Sequence, residues 1–152
     1  MAKYFTYEEL IKSATAEQLN IDNTPPTRVK NNILELIEVL DMIREAWTVE
    51  CKNKDYGNAA IKVSSGYRCE ALNKAVGGSK TSSHMNGTAC DLKPKNGRNK
   101  AFLVWLGEWL LKHDIPFDEL INEKPIKGVP SWVHFSIRNS KGERRKRMNT
   151  IN

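Results

Sequence analysis

Between Thr27 and Trp47, the residues Val29, Ile33, Leu36, Ile37, Leu40, Ile43 and Trp47 recur at steps of three and four, with charged side chains between them. An α-helix turns once every 3.6 residues, so this spacing gathers the apolar groups into one stripe. Such a stripe has to be covered by a second layer of structure, which marks it as core and not as a partner-binding face. The preceding Asp22-Asn23-Thr24-Pro25-Pro26 reads as a turn, because proline can lead into a helix but not sit within it. Further upstream, Thr6 with Glu9 makes a capping box for a short helix to about Ser13, and Thr15 with Gln18 repeats the device.

Downstream, the pattern switches. A polar loop is expected from Glu50 to Asn58, then a strand near Ala60 to Ser64. Gly66-Tyr67-Arg68 leads into a short helix, about Glu70 to Val76, which Gly77-Gly78 ends. The loop from Ser79 to Ser83 delivers His84, and Thr88 to Leu92 reads as a strand. A helix from about Lys100 to Lys112 carries Phe102, Trp105, Leu106, Trp109 and Leu110 on one side, with His113 as its C-terminal cap. Two more strands are expected, near Phe117 to Asn122 and Trp132 to Ile137. With no repeat and no low-complexity linker, the prediction is one α+β domain, helices first and a small antiparallel sheet after. It takes in residues 1–140, followed by a basic tail, 141–152.

Charge and cysteine content narrow the function classes. Lys and Arg number 24 against 18 Asp and Glu, a net charge of +6, which favours anionic partners in general. Part of that excess lies in Lys141 to Arg147, read as a solvated, mobile tail. The tail has no interleaved aromatics and no nucleic-acid fold motif accompanies it, so nucleic acid is not the expected partner. Cys51, Cys69 and Cys90 have no framework spacing and read as reduced thiols. No apolar run approaches the roughly 20 residues of a membrane span. Met1-Ala2-Lys3-Tyr4-Phe5 lacks the apolar core of a signal peptide, so the expectation is a protein made in the cytoplasm without standard export.

The chemistry concentrates around His84 and Asp91, in Ser83-His84-Met85-Asn86-Gly87-Thr88-Ala89-Cys90-Asp91, with a second histidine in Trp132-Val133-His134. Imidazole and carboxylate suit a divalent cation such as zinc, and three protein donors leave one coordination position for water. Strand alternation puts Ala89 and Asp91 on one face and turns Cys90 away; it likewise groups Trp132, His134 and Ser136. By itself, His-x6-Asp is equally compatible with a buried histidine satisfied by a carboxylate.

The wider pattern adds to this. Ser64-Ser65-Gly66-Tyr67-Arg68, Leu72 to Gly78, Ser82-Ser83-His84, Gly87 to Asp91 and Trp132-Val133-His134 occur in that order, after Phe5 to Leu10 and Ile21 to Pro26. This resembles the M15 family of zinc D-Ala-D-Ala carboxypeptidases and peptidoglycan endopeptidases, in its small bacterial and phage branch, whose fold is shared with hedgehog domains. The resemblance implies Zn2+ held by His84, Asp91 and His134, and hydrolysis of peptidoglycan stem peptides. It gives Arg68 a catalytic and substrate-binding place beside the metal. Ser83, just before the first ligand, is a candidate for substrate binding or for orienting its loop.

A general base is also needed. Some relatives place it three residues before the last histidine, where this chain has Ser131, which cannot act as a base at neutral pH. Glu123, ending Phe117 to Glu123, matches the hedgehog-like placement and is the first choice, with Asp118 or Glu119 next. Trp132 replaces a histidine found in some relatives. The competing expectation is a zinc-containing module that binds cell wall or a partner without turnover. A phage or prophage lysin, or a virion-associated enzyme, fits the missing export signal, and a monomer is expected.

Overall fold

The computed structural model describes residues 3–149. The chain runs α1 (Tyr7–Ile11), α2 (Ala14–Gln18), α3 (Thr27–Lys54), β1 (Ile61–Ser65), α4 (Glu70–Ala75), a 3-10 turn (Ser83–Asn86), β2 (Ala89–Pro94), α5 (Asn99–Lys112), β3 (Glu119–Glu123), β4 (Trp132–Ser136) and β5 (Arg147–Asn149). The strands form one sheet in the order β1-β2-β4-β3-β5, antiparallel throughout except for the β3–β5 pair. The architecture is α+β in a single small domain.

The core lies between the helices and one face of the sheet. The α3 stripe, Phe102, Leu103, Leu106 and Leu110 of α5, and Cys90, Leu92, Leu120, Val133 and Phe135 of the strands form one buried cluster. Trp105 and Trp109 are half-buried against it, and Trp47 meets the Phe102 ring edge-on. Full burial of one such aromatic contributes about 1.5–3 kcal/mol.

Several expected boundaries move. The long helix does not stop at Trp47 but continues to Lys54, so the loop expected from Glu50 begins later. Cys51, one turn beyond Trp47, extends the buried stripe, and Asp55 ends the helix in the left-handed conformation. The second short helix is capped by Ser13, whose hydroxyl accepts from the Ala16 N–H, and not by Thr15. The Thr6–Glu9 capping box is present.

The basic C-terminal segment differs most from expectation. It is not a mobile tail through its described length, because residues 147–149 pair in parallel with β3. Arg145 clamps the fully buried Asp118 with two guanidinium bonds, of 2.8 and 2.9 Å. Residues 150–152 of the proposed tail lie outside the described residues. A strand this short has almost no local signal; it exists because the outer edge of β3 offers unpaired backbone groups.

Candidate metal centre

His84 sits on the 3-10 turn, and three contacts hold that turn in place. Ser82 caps it, its hydroxyl accepting from the His84 N–H. Gly87 ends it with φ +71°, and any Cβ there would press into Ile33 and Val29 of α3 at 2.7 and 2.9 Å. Thr88 donates its hydroxyl to the carbonyls of Ser83 and Arg138, tying the turn to the end of β4. The imidazole is then oriented from behind. Its Nδ1 lies 2.8 Å from the Gly66 carbonyl oxygen, so Nδ1–H donates there and Nε2 faces the cleft.

Asp91 and His134 are directly opposed residues of β2 and β4. Asp91 Oδ1 is 3.5 Å from His84 Nε2 and 3.3 Å from His134 Nδ1. All three donor atoms lie within 4.8 Å of one another. Ligand atoms roughly 2.0–2.1 Å from zinc stand about 3.3–3.4 Å apart along a tetrahedral edge. The two Asp91–imidazole distances are close to that edge, and two nitrogens and one oxygen so gathered are a fitting donor set for zinc. Cys90 points to the core, as strand alternation requires.

The electrostatics follow from burial and pairing. Burial alone would raise the Asp91 carboxyl, but the His134 and His84 imidazoles beside it hold it well below the usual carboxylate range. Burial alone would lower His134, yet its bonds to Asp91 and Glu119 push it up to about 9. The second of these partners is informative. Glu119 Oε1 is 3.5 Å from His134 Nε2, leaving Nδ1 as the atom aimed at Asp91. Glu119 itself is approached at 3.7 Å by both Arg145 and Arg147.

These contacts sort the three candidate bases. Asp118 turns to the opposite side of β3 and is committed to Arg145. Glu119 faces the site but is engaged with His134. Glu123 pairs across from Trp132, on the same face as His134, and lines a cleft of about 800 Å³ with Arg68, His84, Asp91 and Trp132. Among the described residues, Glu123 has no side-chain ion pair.

Arg68 and Ser83 also line this cleft. One Arg68 nitrogen donates to the Ser82 hydroxyl at 3.3 Å, while its Nε is buried without a partner. Among the described residues Arg68 makes no salt bridge, so its charge faces the cleft uncompensated except by the field of Asp91. Ser83 is buried and contributes its carbonyl to Thr88; the neighbouring Ser82, which the sequence did not single out, supports both Arg68 and His84. His113 caps α5, with Nδ1 3.0 Å from the Trp109 carbonyl oxygen. The segment before Trp132 is tied together: Ile126 and Val129 bridge each other, and Ser131 donates to the Lys124 carbonyl.

The sequence model of the family described as Peptidase M15 matches residues 3–115. No curated protein matches the chain.

Proposed function

Because the chain belongs to the peptidase M15 family, we propose that it hydrolyses peptide bonds of peptidoglycan stem peptides with zinc, as a D,D-carboxypeptidase or an endopeptidase. The observation that carries this reading is the convergence of His84, Asp91 and His134 beside an open cleft, with Asp91 Oδ1 3.5 Å and 3.3 Å from the two imidazoles and all three donors within 4.8 Å of one another. Zinc held there supplies Lewis acidity and a water acidified towards a pKa of about 7.

The chain's own groups do the rest. The Gly66 carbonyl and Glu119 carboxylate fix which nitrogen each imidazole presents. Arg68 receives a substrate carboxylate through its outward N–H groups, and Ser82 limits its swing. Glu123 takes the proton of the attacking water and returns it to the leaving amine. Ser83 lines the cleft beside the first ligand. Action at the cell wall, as a monomeric phage or prophage lysin or virion-associated enzyme, completes the proposal. No helix among the described residues is long and apolar enough to cross a membrane.

Chelation followed by zinc addition should abolish and then restore release of peptides or amino acids from purified cell wall, read by mass analysis of the muropeptides. Glu123→Gln should retain zinc and lose about 10²–10⁴-fold in turnover. Full activity in the metal-stripped protein would overturn the mechanism. Wall binding at full zinc occupancy without turnover would mark a binding module instead.

A further inference from the structure

Beside the three candidate ligands runs a second row of polar side chains. On the open face of the sheet, Asp91 and His134 form one row, and the following row reads Lys62, Lys93, Trp132 and Glu123 from β1 to β3. Lys62 and Lys93 are direct cross-strand partners. Like charges placed opposite each other in an antiparallel pair are destabilising. Among the described residues neither ammonium joins an ion pair.

Edge protection accounts for a lysine on β1, an edge strand, because charge there blocks pairing with another chain. It does not account for Lys93, which sits on β2 with strands on both sides. The pair instead fronts a groove of about 950 Å³ that runs from Asp91 along β1. Six cations line it (Lys12, Lys62, Arg68, Lys93, Lys95 and Lys124), against two carboxylates. One of those is Asp91, and the other, Glu9, is engaged in the capping box of α1.

Position gives the groove its meaning. Ser65 pairs with Asp91, so Arg68 lies past one end of that pairing and Lys62–Lys93 lies past the other. Two residues along a strand span about 7 Å. We infer that Lys62 and Lys93 form a second carboxylate subsite, about 7 Å along β2 from Asp91 and on the opposite side from Arg68, binding an acidic residue of the substrate. The substrate class is then an acidic peptide with anionic groups on both sides of the cut. This rests on the peptidase reading above and narrows it.

The test uses zinc-loaded protein and two probes: a stem pentapeptide ending in D-Ala-D-Ala with its D-glutamyl carboxylate free, and the same peptide amidated there. Binding is followed by calorimetry and hydrolysis by mass analysis. The intact protein should bind the free acid about five- to tenfold tighter than the amide, as expected for two exposed ion pairs. K62Q/K93Q should lose that preference, whereas K52Q/K100Q, equal in charge change but outside the groove lining, should keep it. Equal affinity for both probes, or a preference surviving in K62Q/K93Q, would overturn the subsite. A preference that depends on Lys62 and Lys93 without hydrolysis of either probe would leave the subsite standing and remove the peptidase reading. Hydrolysis of both probes with equal affinity would do the reverse.

Discussion

Along β2 and β4, Cys90, Leu92, Val133 and Phe135 point to one side, and Asp91, Lys93, Trp132 and His134 to the other. The first set joins the α3 and α5 stripes in a dry core, where any well-packed apolar group of similar volume serves. The second set carries imidazole, carboxylate and ammonium groups that cost free energy to bury or crowd unless each finds a partner. One face is thus specified by volume and the other by individual atoms. A change on the core face should show up in folding, and one on the open face in metal and ligand binding.

Asp91→Ala should give the sharpest separation. It removes the oxygen shared by both imidazoles, so zinc binding and at least about a thousandfold of turnover should be lost. Excess zinc at ~1,000 times its Kd should stabilise the intact protein by about 4 kcal/mol in a thermal melt, and the variant by nothing. A variant that still melts higher with zinc would break the assignment of Asp91 to the centre. Phe135→Ala tests the other face. Fully buried and stacked on Phe117 at 6.4 Å, it should destabilise the fold by about 3–5 kcal/mol in denaturant titration. Zinc should still bind the folded fraction, and loss of zinc without loss of stability would contradict the division.

The smallest effect is a proton. Without metal, His134 is protonated up to about pH 9 through Asp91 and Glu119. That pairing stabilises the metal-free fold fully below about pH 6.5. The stabilisation is lost as pH rises through about 9. Zinc needs the Nδ1 lone pair, so its apparent affinity should rise about tenfold per pH unit between roughly 6.5 and 8.5. Competition with a chelator of known pH dependence reads this directly. A flat profile would mean that His134 does not release a proton to the metal.

The two faces also differ in how far they could be read from the chain. Volume and period are local properties, so the α3 stripe, the α5 apolar side and the alternation in β2 and β4 were visible in the spacing of residues. Even there the end of α3 was placed too early, because Glu50 to Lys54 is polar and only Cys51 continues the stripe. The three donors stood out because imidazole and carboxylate are scarce at such spacing. Their supports did not. Glu119 behind His134, Asp118 in the grip of Arg145, and Asp41 accepting the backbone N–H groups of Lys3, Tyr4 and Phe5 are all contacts between distant parts of the chain. Nothing in the neighbouring sequence distinguishes these acids from surface ones. Likewise β5 is a strand only by virtue of the β3 edge.

His84 is held from behind by the N-terminal part of the chain. The Gly66 carbonyl that orients this ring belongs to a residue packed so closely on Leu10 that a Cβ would collide with the Leu10 backbone, and Tyr67 donates its N–H to the Leu10 carbonyl. The ring is therefore positioned from residue 10, while its counterpart His134 is positioned from β3 and the arginines of the C-terminal segment. During synthesis, a ribosome must deliver both sets of supports before the centre is whole.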